Sequence, residues 1–255
     1  MGSLWMDDLT QSQFLGGRVT AWQPARGYRA GVDPVLLAAA VPGTPGQTAL
    51  ELGCGVGVAS LCLLARVPDM RITGLEIQPS YAALARRNAA ESGAALEVVE
   101  ADLAQLPAHL RDRQFDHVFA NPPYFLRDAS VSAADPGRDI ALGGETPLAD
   151  WVETAARRVR PKGYVSFIQR VERLPELLRA MQARLGSLQV LPLMPRRGRE
   201  SQLFLIRGRK GGRAAFRLHA GIRMHEGDTH TRDQESYTSD IRAVLRDGAA
   251  LPFPK

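Results

Sequence analysis

The sequence has few cysteines, no long apolar run and no recognisable export signal. Its two cysteines, Cys54 and Cys62, lie close together in one segment, so we expect no structural disulfide and a reducing, cytoplasmic location. No apolar run approaches the length of a membrane span. Residues 1–13 carry two aspartates and lack the basic-then-apolar order of a secretory signal. These absences argue against a disulfide-stapled secreted domain and against a membrane-embedded protein.

The charge balance is basic, and the basic residues are unevenly spread. The chain has 32 lysines and arginines against 27 acids, which gives a net charge of +5 and a pI near 9.6. Between positions 190 and 217, eight basic residues stand against one acid, Glu200. Such a stretch is either a solvated surface or a footprint for nucleic acid. The eight are Arg196, Arg197, Arg199, Arg207, Arg209, Lys210, Arg213 and Arg217.

Strand and helix patterns alternate from residue 47 onward, which implies parallel βαβ units with right-handed crossovers. The sequence predicts an α/β fold with a mostly parallel seven-stranded sheet, helices on both faces and a C-terminal antiparallel hairpin. We divide the chain into an N-terminal extension of hairpin plus helix (1–46), a core (47–213) and a C-terminal tail (214–255), all in one structural domain. Predicted strands cover residues 48–52, 71–75, 96–100, 115–120, 164–169, 188–193 and 202–206, and predicted helices cover 35–41, 58–66, 80–92, 147–160 and 174–185.

A glycine-rich turn follows the first strand of the core, with Gly53, Gly55 and Gly57 ahead of a helix. This spacing lets a ligand approach the backbone, although a tight turn alone would also need glycine. The dinucleotide fingerprint requires its third glycine at position 58, which is valine here. We therefore favour a nucleoside ligand without phosphates.

Two acids stand at the ends of the next two strands. Glu76 is placed to accept both hydroxyls of a ribose, and Asp102 is placed to meet the exocyclic amine of an adenine. Each has a simpler explanation, since Glu76 could be an exposed strand-end acid and Asp102 could be a helix N-cap. Their joint occurrence in register with the glycines favours the ligand interpretation. Upstream, Asp33 before Pro34 predicts a helix start with the aspartate as N-cap.

The fourth core strand ends in Asn121, Pro122, Pro123 and Tyr124. A residue before proline leaves the helical region, and each proline fixes its own φ and removes a backbone donor. The result is a rigid corner with an amide side chain, free carbonyl oxygens and an aromatic face. Such a corner suits a planar group that bears an amine, whereas a plain strand-ending turn is the alternative.

The order of these motifs resembles the Rossmann-like (class I) methyltransferases that use S-adenosyl-L-methionine and carry an Asn/Asp-Pro-Pro-Tyr/Phe motif. Residues 23–37 and 225–227, with Tyr237 and Thr238, are similar to signatures of the bacterial tRNA adenine-N6 methyltransferases that modify valine tRNA beside the anticodon. The resemblance covers residues 13–247, except for 125–145. It implies S-adenosyl-L-methionine as cofactor and tRNA, or another structured RNA, as partner.

The resemblance also implies roles for individual residues. The glycines would line the methionine part of the cofactor, Glu76 the ribose and Asp102 the adenine, while the N-terminal signature closes the pocket. The implied cofactor-binding residues are Arg29, Asp33, Gly53, Cys54, Gly55, Gly57, Glu76, Ile77, Asp102, Leu103 and Asn121. The implied catalytic residues are Asn121, Pro122, Pro123 and Tyr124.

The corner does not identify the amine by itself. An RNA adenine N6 is the leading interpretation, a guanine N2 of ribosomal RNA or a protein glutamine is the second, and a non-catalytic nucleotide- or RNA-binding module is the third. Residues 125–145 are predicted to form a lid that orders on RNA. We expect no metal, since His219 and His225 lie in a polar segment without cysteine, and a monomer or weak homodimer. Predicted RNA-binding residues are Arg127, Arg138, Arg196, Arg197 and Arg199.

Overall fold

The computed structural model describes residues 8–124, 146–227 and 236–254. The strands are β1 (Leu9–Phe14), β2 (Val19–Pro24), β3 (Thr48–Leu52), β4 (Arg71–Glu76), β5 (Leu96–Glu100), β6 (Phe115–Ala120), β7 (Val159–Arg170), β8 (Gly186–Met194), β9 (Leu203–Arg209), β10 (Arg217–Leu218) and β11 (Ile222–Arg223). The helices are α1 (Asp33–Ala40), α2 (Val58–Arg66), α3 (Pro79–Ser92), α4 (Ala108–Arg111), α5 (Leu148–Arg158), α6 (Leu174–Gln182) and α7 (Ser239–Asp247). None of these helices is long and apolar enough to cross a membrane.

The main sheet has the order β10-β8-β9-β7-β6-β3-β4-β5, with β11 also beside β8. Strands β3 to β7 are parallel, while β9 pairs antiparallel with both β7 and β8. This arrangement confirms the predicted α/β fold with its C-terminal antiparallel hairpin. The two-residue strands β10 and β11 extend the predicted seven strands to nine within the described residues, and their brevity explains why no sequence pattern indicated them.

The helix predicted over residues 147–160 ends earlier, at Arg158, where β7 begins. Pro161 and Gly163 stand in this segment, and Lys162 between them has a φ of 68°. Proline removes a backbone donor, and a positive φ is incompatible with a right-handed helix. The chain therefore leaves the helix before these residues and enters β7 through an irregular pairing with β6.

The N-terminal hairpin is fixed to the core by Asn88 of α3. The Asn88 side chain accepts a hydrogen bond from the backbone N–H of Trp22 at 2.8 Å. Its amide nitrogen donates to the carbonyls of Trp22, at 3.1 Å, and Val56, at 2.9 Å. Because Val56 belongs to the glycine-rich turn, this buried side chain links β2 directly to the turn.

Within the described residues, the segment predicted as a C-terminal tail (214–255) contains a helix, α7. Helix α7 is capped by Thr238, whose hydroxyl oxygen accepts the backbone N–H of Ile241. Ile241 and Val244 are buried in the core cluster that also contains α1. The apolar stripe and the threonine cap are both visible in the sequence, so this helix was predictable from it.

Candidate active site

The carboxyl ends of four parallel strands lie in register at one edge of the sheet. Leu52 of β3 pairs with Leu75 of β4 and with Ala120 of β6, and Glu76 of β4 pairs with Glu100 of β5. The segments that follow these strands therefore converge at the same edge. Chain order reverses on either side of β3, and this is the position at which α/β sheets bind ligands.

The three glycines of the turn have different structural roles. A Cβ on Gly53 would lie 2.7 Å from the Trp151 ring, and one on Gly57 would lie 3.2 Å from Leu96. A Cβ on Gly55 would meet only Tyr28, at 4.0 Å. Gly53 and Gly57 are thus required for packing, whereas Gly55 is the glycine that leaves room for a ligand. All three have positive φ values.

Glu76 is buried behind this turn and holds its backbone. Its carboxylate accepts the backbone N–H of Gly55 at 2.8 Å and that of Gln78 at 2.9 Å. Burial raises the pKa of Glu76 above its usual value, and the backbone hydrogen bonds act in the opposite direction. Glu76 is therefore not the exposed strand-end acid of the simpler interpretation, because it already shapes the turn that surrounds Gly55.

A second buried acid, Glu51, lies beneath the turn, and the sequence reasoning assigned it no role. It accepts hydrogen bonds from the backbone N–H of Ser60, at 3.1 Å, and from the Ser60 hydroxyl. Burial raises the pKa of Glu51 to about 8, partly offset by these bonds. The available signal was its position as a single acid between the leucines of a short, mostly apolar strand.

The remaining predicted cofactor residues divide into two groups. Asp102 is half-buried and accepts the backbone N–H of Ala104 at 2.8 Å, so it does support the local turn. Ile77 is 52% exposed, which is unusual for its type and places an apolar face beside Glu76. Leu103 and Cys54, in contrast, have buried side chains, and a Cβ on Gly74 would lie 2.8 Å from the Cys54 sulfur. Only their backbones can reach a ligand.

Asn121 stands at the end of β6, opposite this turn. Its Nδ2 donates to the Tyr28 hydroxyl oxygen at 3.3 Å. Its Oδ1 is buried and has no hydrogen-bond donor among the described residues. A buried acceptor without a donor costs about 1–3 kcal/mol, so this oxygen is prepared to receive a donor from a ligand. Tyr28, which the sequence reasoning passed over, lies between Gly55 and Asn121.

The proline carbonyls of the corner have a partner that no motif indicated. Gln169 of β7 is fully buried, and its Nε2 donates to the Pro122 carbonyl at 3.3 Å and to the Pro123 carbonyl at 3.4 Å. Its Oε1 accepts the backbone N–H of Arg170 at 2.8 Å. The two carbonyls are thus held in place by a neighbouring strand, and a carbonyl has a second lone pair for another donor.

The ring of Tyr124 is tethered to the N-terminal segment, because its hydroxyl donates to the Asp33 carboxylate. Burial raises the pKa of Asp33, and the Tyr124 hydrogen bond and the charge of Arg170 oppose this. The prediction that Asp33 caps α1 is wrong. Val32 is the N-cap residue and no side chain caps the helix, because the carboxylate of Asp33 faces Tyr124 instead.

Arg29 follows the hairpin in the chain, and its guanidinium is hydrogen-bonded to both hairpin strands. Its guanidinium donates to the Thr10 hydroxyl at 2.5 Å, the Pro24 carbonyl at 2.7 Å and the Ser12 hydroxyl at 3.0 Å. These bonds secure the segment that carries Tyr28. The Arg29 guanidinium is thus engaged by the hairpin, and its role in cofactor binding remains a prediction.

The arginine-rich stretch does not form one surface. Arg197 and Arg199 are exposed in the loop between β8 and β9, at the same sheet edge as Asn121. Arg196 lies in this loop too, but it donates to the Glu226 carbonyl and to the Ser236 hydroxyl. Residues 207–217 lie away from this edge, at the far end of β9 and along β8. Arg127, Arg138 and the predicted lid over 125–145 lie outside the described residues.

Among the described residues, no group of three or more His, Cys, Asp or Glu side chains is placed to hold a metal ion. His219 instead bonds to Gln189 at 2.9 Å, and the His225 ring stacks on Tyr237 at 4.6 Å.

Comparisons with known proteins identify methyltransferases as relatives of this chain. A family model described as "Methyltransferase domain" matches residues 49–134. The tRNA1(Val) (adenine(37)-N6)-methyltransferase of Porphyromonas gingivalis is 34% identical over 179 residues, which cover 64% of this chain and 69% of the relative. The Yersinia enterocolitica protein of the same name is 37% identical over 117 residues, which cover 44% of this chain and 45% of the relative.

Two solved structures extend the comparison. A predicted O-methyltransferase from Agrobacterium tumefaciens superposes with a TM-score of 0.71 at 28% identity, and the match covers 88% of this chain and 100% of that one. The Thermus thermophilus 16S rRNA N2 G1207 methyltransferase, in complex with AdoMet and guanosine, superposes with a TM-score of 0.57 at 18% identity. The match covers 82% of this chain and 51% of the Thermus chain. The second likeness concerns the fold alone.

Proposed function

The chain belongs to the tRNA1(Val) (adenine(37)-N6)-methyltransferase family, and from this membership we propose that it methylates the N6 amine of an adenine in tRNA. It is an S-adenosyl-L-methionine-dependent N-methyltransferase. The observation that supports the amine as acceptor is the buried Oδ1 of Asn121, which has no donor in the described part of the chain. An exocyclic amine supplies the missing N–H group.

The residues around the glycine turn fit the cofactor. Gly55 leaves open space next to Tyr28 for the methionine part. Each carboxylate oxygen of Glu76 accepts one backbone N–H and retains a lone pair for a ribose hydroxyl. The exposed Ile77 and the second carboxylate oxygen of Asp102 suit an adenine ring and its amine. When bound, S-adenosyl-L-methionine supplies an electrophilic methyl group on a sulfonium centre.

The corner formed by Asn121 and Pro122 activates the adenine N6 amine, which is a weak nucleophile by itself. The lone pair of an adenine N6 is delocalised into the ring, and hydrogen bonds from its two N–H groups to Asn121 Oδ1 and the Pro122 carbonyl favour a pyramidal nitrogen. Gln169 holds that carbonyl, and Tyr28 holds the Asn121 amide. The proton leaves the nitrogen after methyl transfer, so no strong base is needed. The contribution of the protein is chiefly placement of the reacting atoms.

The substrate base must leave its stack to reach this corner. Tyr124 offers a stacking face, which is worth roughly 1–3 kcal/mol per base. Its tether to Asp33 keeps the ring in one orientation before the base arrives. Unstacking costs a few kcal/mol and is easiest in a single-stranded loop. A loop nucleotide of tRNA is therefore a suitable substrate, with Arg197 and Arg199 on the same edge to contact its phosphates.

We also propose a cellular compartment and an oligomeric state for the enzyme. Both cysteines are free and buried, as suits a reducing compartment, and we place the enzyme in the cytoplasm with its RNA, as a monomer or weak homodimer. A guanine N2 or a protein glutamine presents a similar planar amine, so identification of the product is what distinguishes these acceptors from adenine N6.

The test is transfer of a tritiated methyl group from S-adenosyl-L-methionine to bulk tRNA from a strain that lacks this enzyme, followed by nucleoside analysis. We expect N6-methyladenosine with the wild type, its loss with Asn121→Ala, and no change with Gln182→Ala, an exposed helix residue. N2-methylguanosine as the product would support the alternative amine. Absence of any labelled nucleoside in tRNA would overturn the proposal.

A further inference from the structure

The outer edge of the sheet carries exposed apolar and basic side chains that the reaction does not use. After β9 the chain passes the start of β8 and then pairs with it, so that Arg217 lies opposite Gln189 and Leu218 opposite Val190. Phe216 is 47% exposed and Leu218 is 64% exposed. Among the described residues, the other large hydrophobic side chain with such exposure is Ile77, which has a place at the cofactor corner.

The same edge is strongly basic. From Ser201 to His225 the sequence contains six lysines and arginines and no acid. Arg209 and Lys162 lie next to this edge, because Arg209 of β9 pairs with Gly186 at the start of β8 and donates to the Lys162 carbonyl of β7 at 3.1 Å. We call Lys162, Arg209, Arg213, Phe216, Arg217 and Leu218 the outer basic edge.

No carboxylate in the described part of the chain neutralises the cations of the outer basic edge. Lys162, Arg209, Arg213 and Arg217 form no ion pair with a carboxylate of residues 8–124, 146–227 or 236–254. The neighbouring Arg160, in contrast, pairs with Asp116 at 2.9 Å. An unpaired cluster of this kind attracts a polyanion and repels a second copy of itself.

The outer basic edge leads away from the catalytic corner. Strand β8 continues from Gln189, opposite Arg217, to Met194, beside the loop that holds Arg197 and Arg199. Five strand residues at about 3.3 Å each place Arg217 roughly 17 Å from that loop. A flipped nucleotide and its immediate phosphates therefore do not reach it, whereas a longer part of the same RNA does.

We propose that the outer basic edge binds the phosphate backbone of the tRNA stem that leads away from the methylated loop. This inference rests on the proposed function. Arg213 and Arg217 contact phosphates, and Phe216 and Leu218 cover sugar and base surface in the shallow minor groove of an RNA helix. The edge thus selects a folded RNA over an isolated loop, while the corner selects the amine.

The test compares two substrates, full-length tRNA and a short single-stranded RNA that contains only the methylated loop. The variant is Arg213→Ala/Arg217→Ala, and the matched control is Arg71→Ala/Arg111→Ala, which removes two exposed arginines from other parts of the molecule. For the variant we expect KM for full-length tRNA to rise about tenfold at 0.1 M salt, with a shallower salt dependence by about 0.7–0.9 per lost contact. We expect kcat, and KM for the short RNA, to stay unchanged.

The outcomes separate the two proposals. If the wild type methylates tRNA and the variant has an unchanged KM and salt slope, the inference is overturned and the proposed function stands. The inference is also overturned if the control loses as much affinity as the variant, because net charge then explains the effect. If the wild type methylates neither RNA, the proposed function is overturned and the inference falls with it.

Discussion

Tyr28 Oη and Asn121 Nδ2 lie 3.3 Å apart, and this hydrogen bond leaves the oxygen of the Asn121 amide for a substrate. With the nitrogen held by Tyr28, the oxygen remains as the acceptor, buried and without a donor among the described residues. In this orientation the tyrosine hydroxyl accepts from Nδ2, and the contact holds the amide beside the glycine turn. Tyr28 supplies that contact from outside the motif.

Removal of this hydroxyl tests its role directly. In Tyr28→Phe the ring still lines Gly55, but the amide of Asn121 loses its orienting partner. We expect kcat to fall about tenfold, as for the loss of one hydrogen bond of about 1.4 kcal/mol, with little change in KM for S-adenosyl-L-methionine. Steady-state kinetics measure this, with Tyr164→Phe in the middle of β7 as control. A rise in KM for the cofactor with unchanged kcat would assign Tyr28 to cofactor binding alone.

Gln169 is expected to matter for both stability and rate. In Gln169→Leu the carbonyls of Pro122 and Pro123 lose a buried donor, at a cost of roughly 1–3 kcal/mol. We therefore predict a lower free energy of unfolding in urea together with a lower kcat. Gln182→Leu, on the exposed face of α6, is the matched control and leaves both unchanged. Stability loss without any loss of kcat in the folded variant would show that Gln169 does not position the corner.

Asp33 and Tyr124 act as a pair, and two substitutions of Asp33 separate its charge from its hydrogen bond. Asp33→Asn keeps an oxygen acceptor for the Tyr124 hydroxyl, and Asp33→Ala removes it. We expect KM for tRNA to stay within about twofold in the first and to rise severalfold in the second, since the stacking ring is then no longer held. Equal defects in both variants would mean that the negative charge, not the tether, is required.

The glycine turn gives a contrast between packing and binding. Gly53→Ala places a Cβ against Trp151, whereas Gly55→Ala meets only Tyr28, at 4.0 Å. Both residues have positive φ, which costs an alanine roughly 1–2 kcal/mol. We expect the larger drop in Tm for Gly53→Ala and the larger loss of S-adenosyl-L-methionine affinity, by calorimetry, for Gly55→Ala. The reverse order would place the ligand on the other side of the turn.

Glu51 makes stability depend on pH in a defined direction. Its pKa is about 8 in the fold against 4.5 for the free side chain, because it is buried. Between these values the folded state holds a proton that the unfolded state has released, so this residue lowers stability as pH rises from 4.5 to 8. Glu51→Gln stays neutral and removes that part of the slope. Thermal unfolding at pH 5 and pH 8 measures it, and an unchanged slope in Glu51→Gln would contradict the prediction.

The sequence was informative wherever a residue acts through backbone geometry or strand position. The glycines, Glu76 and Asn121 follow strand ends, and parallel strands bring their carboxyl ends together, so the meeting of these residues at one edge could be predicted. Their assigned functions at that edge remain predictions until the variants are made.

Other contacts depend on tertiary packing that no local pattern contains. Gln169 is an ordinary polar residue at the end of an apolar strand, and only the β6–β7 pairing brings it to the proline carbonyls. The arginine-rich stretch reads as one cluster, but β9 separates its two ends. Asp33 has the local sequence signature of a helix cap, but its carboxylate accepts a hydrogen bond from the Tyr124 hydroxyl instead.

The contact between Trp151 and Gly53 provides an intrinsic fluorescent probe of the glycine turn. The indole lies against the backbone of the first glycine of the turn, and it is 7% exposed, so its emission depends on how closely the turn is packed. We therefore expect occupancy of the space beside Gly55 to change the intrinsic fluorescence of Trp151, without any added dye. With Trp22→Phe and Trp5→Phe in place, titration of S-adenosyl-L-methionine yields an equilibrium constant from this single fluorophore.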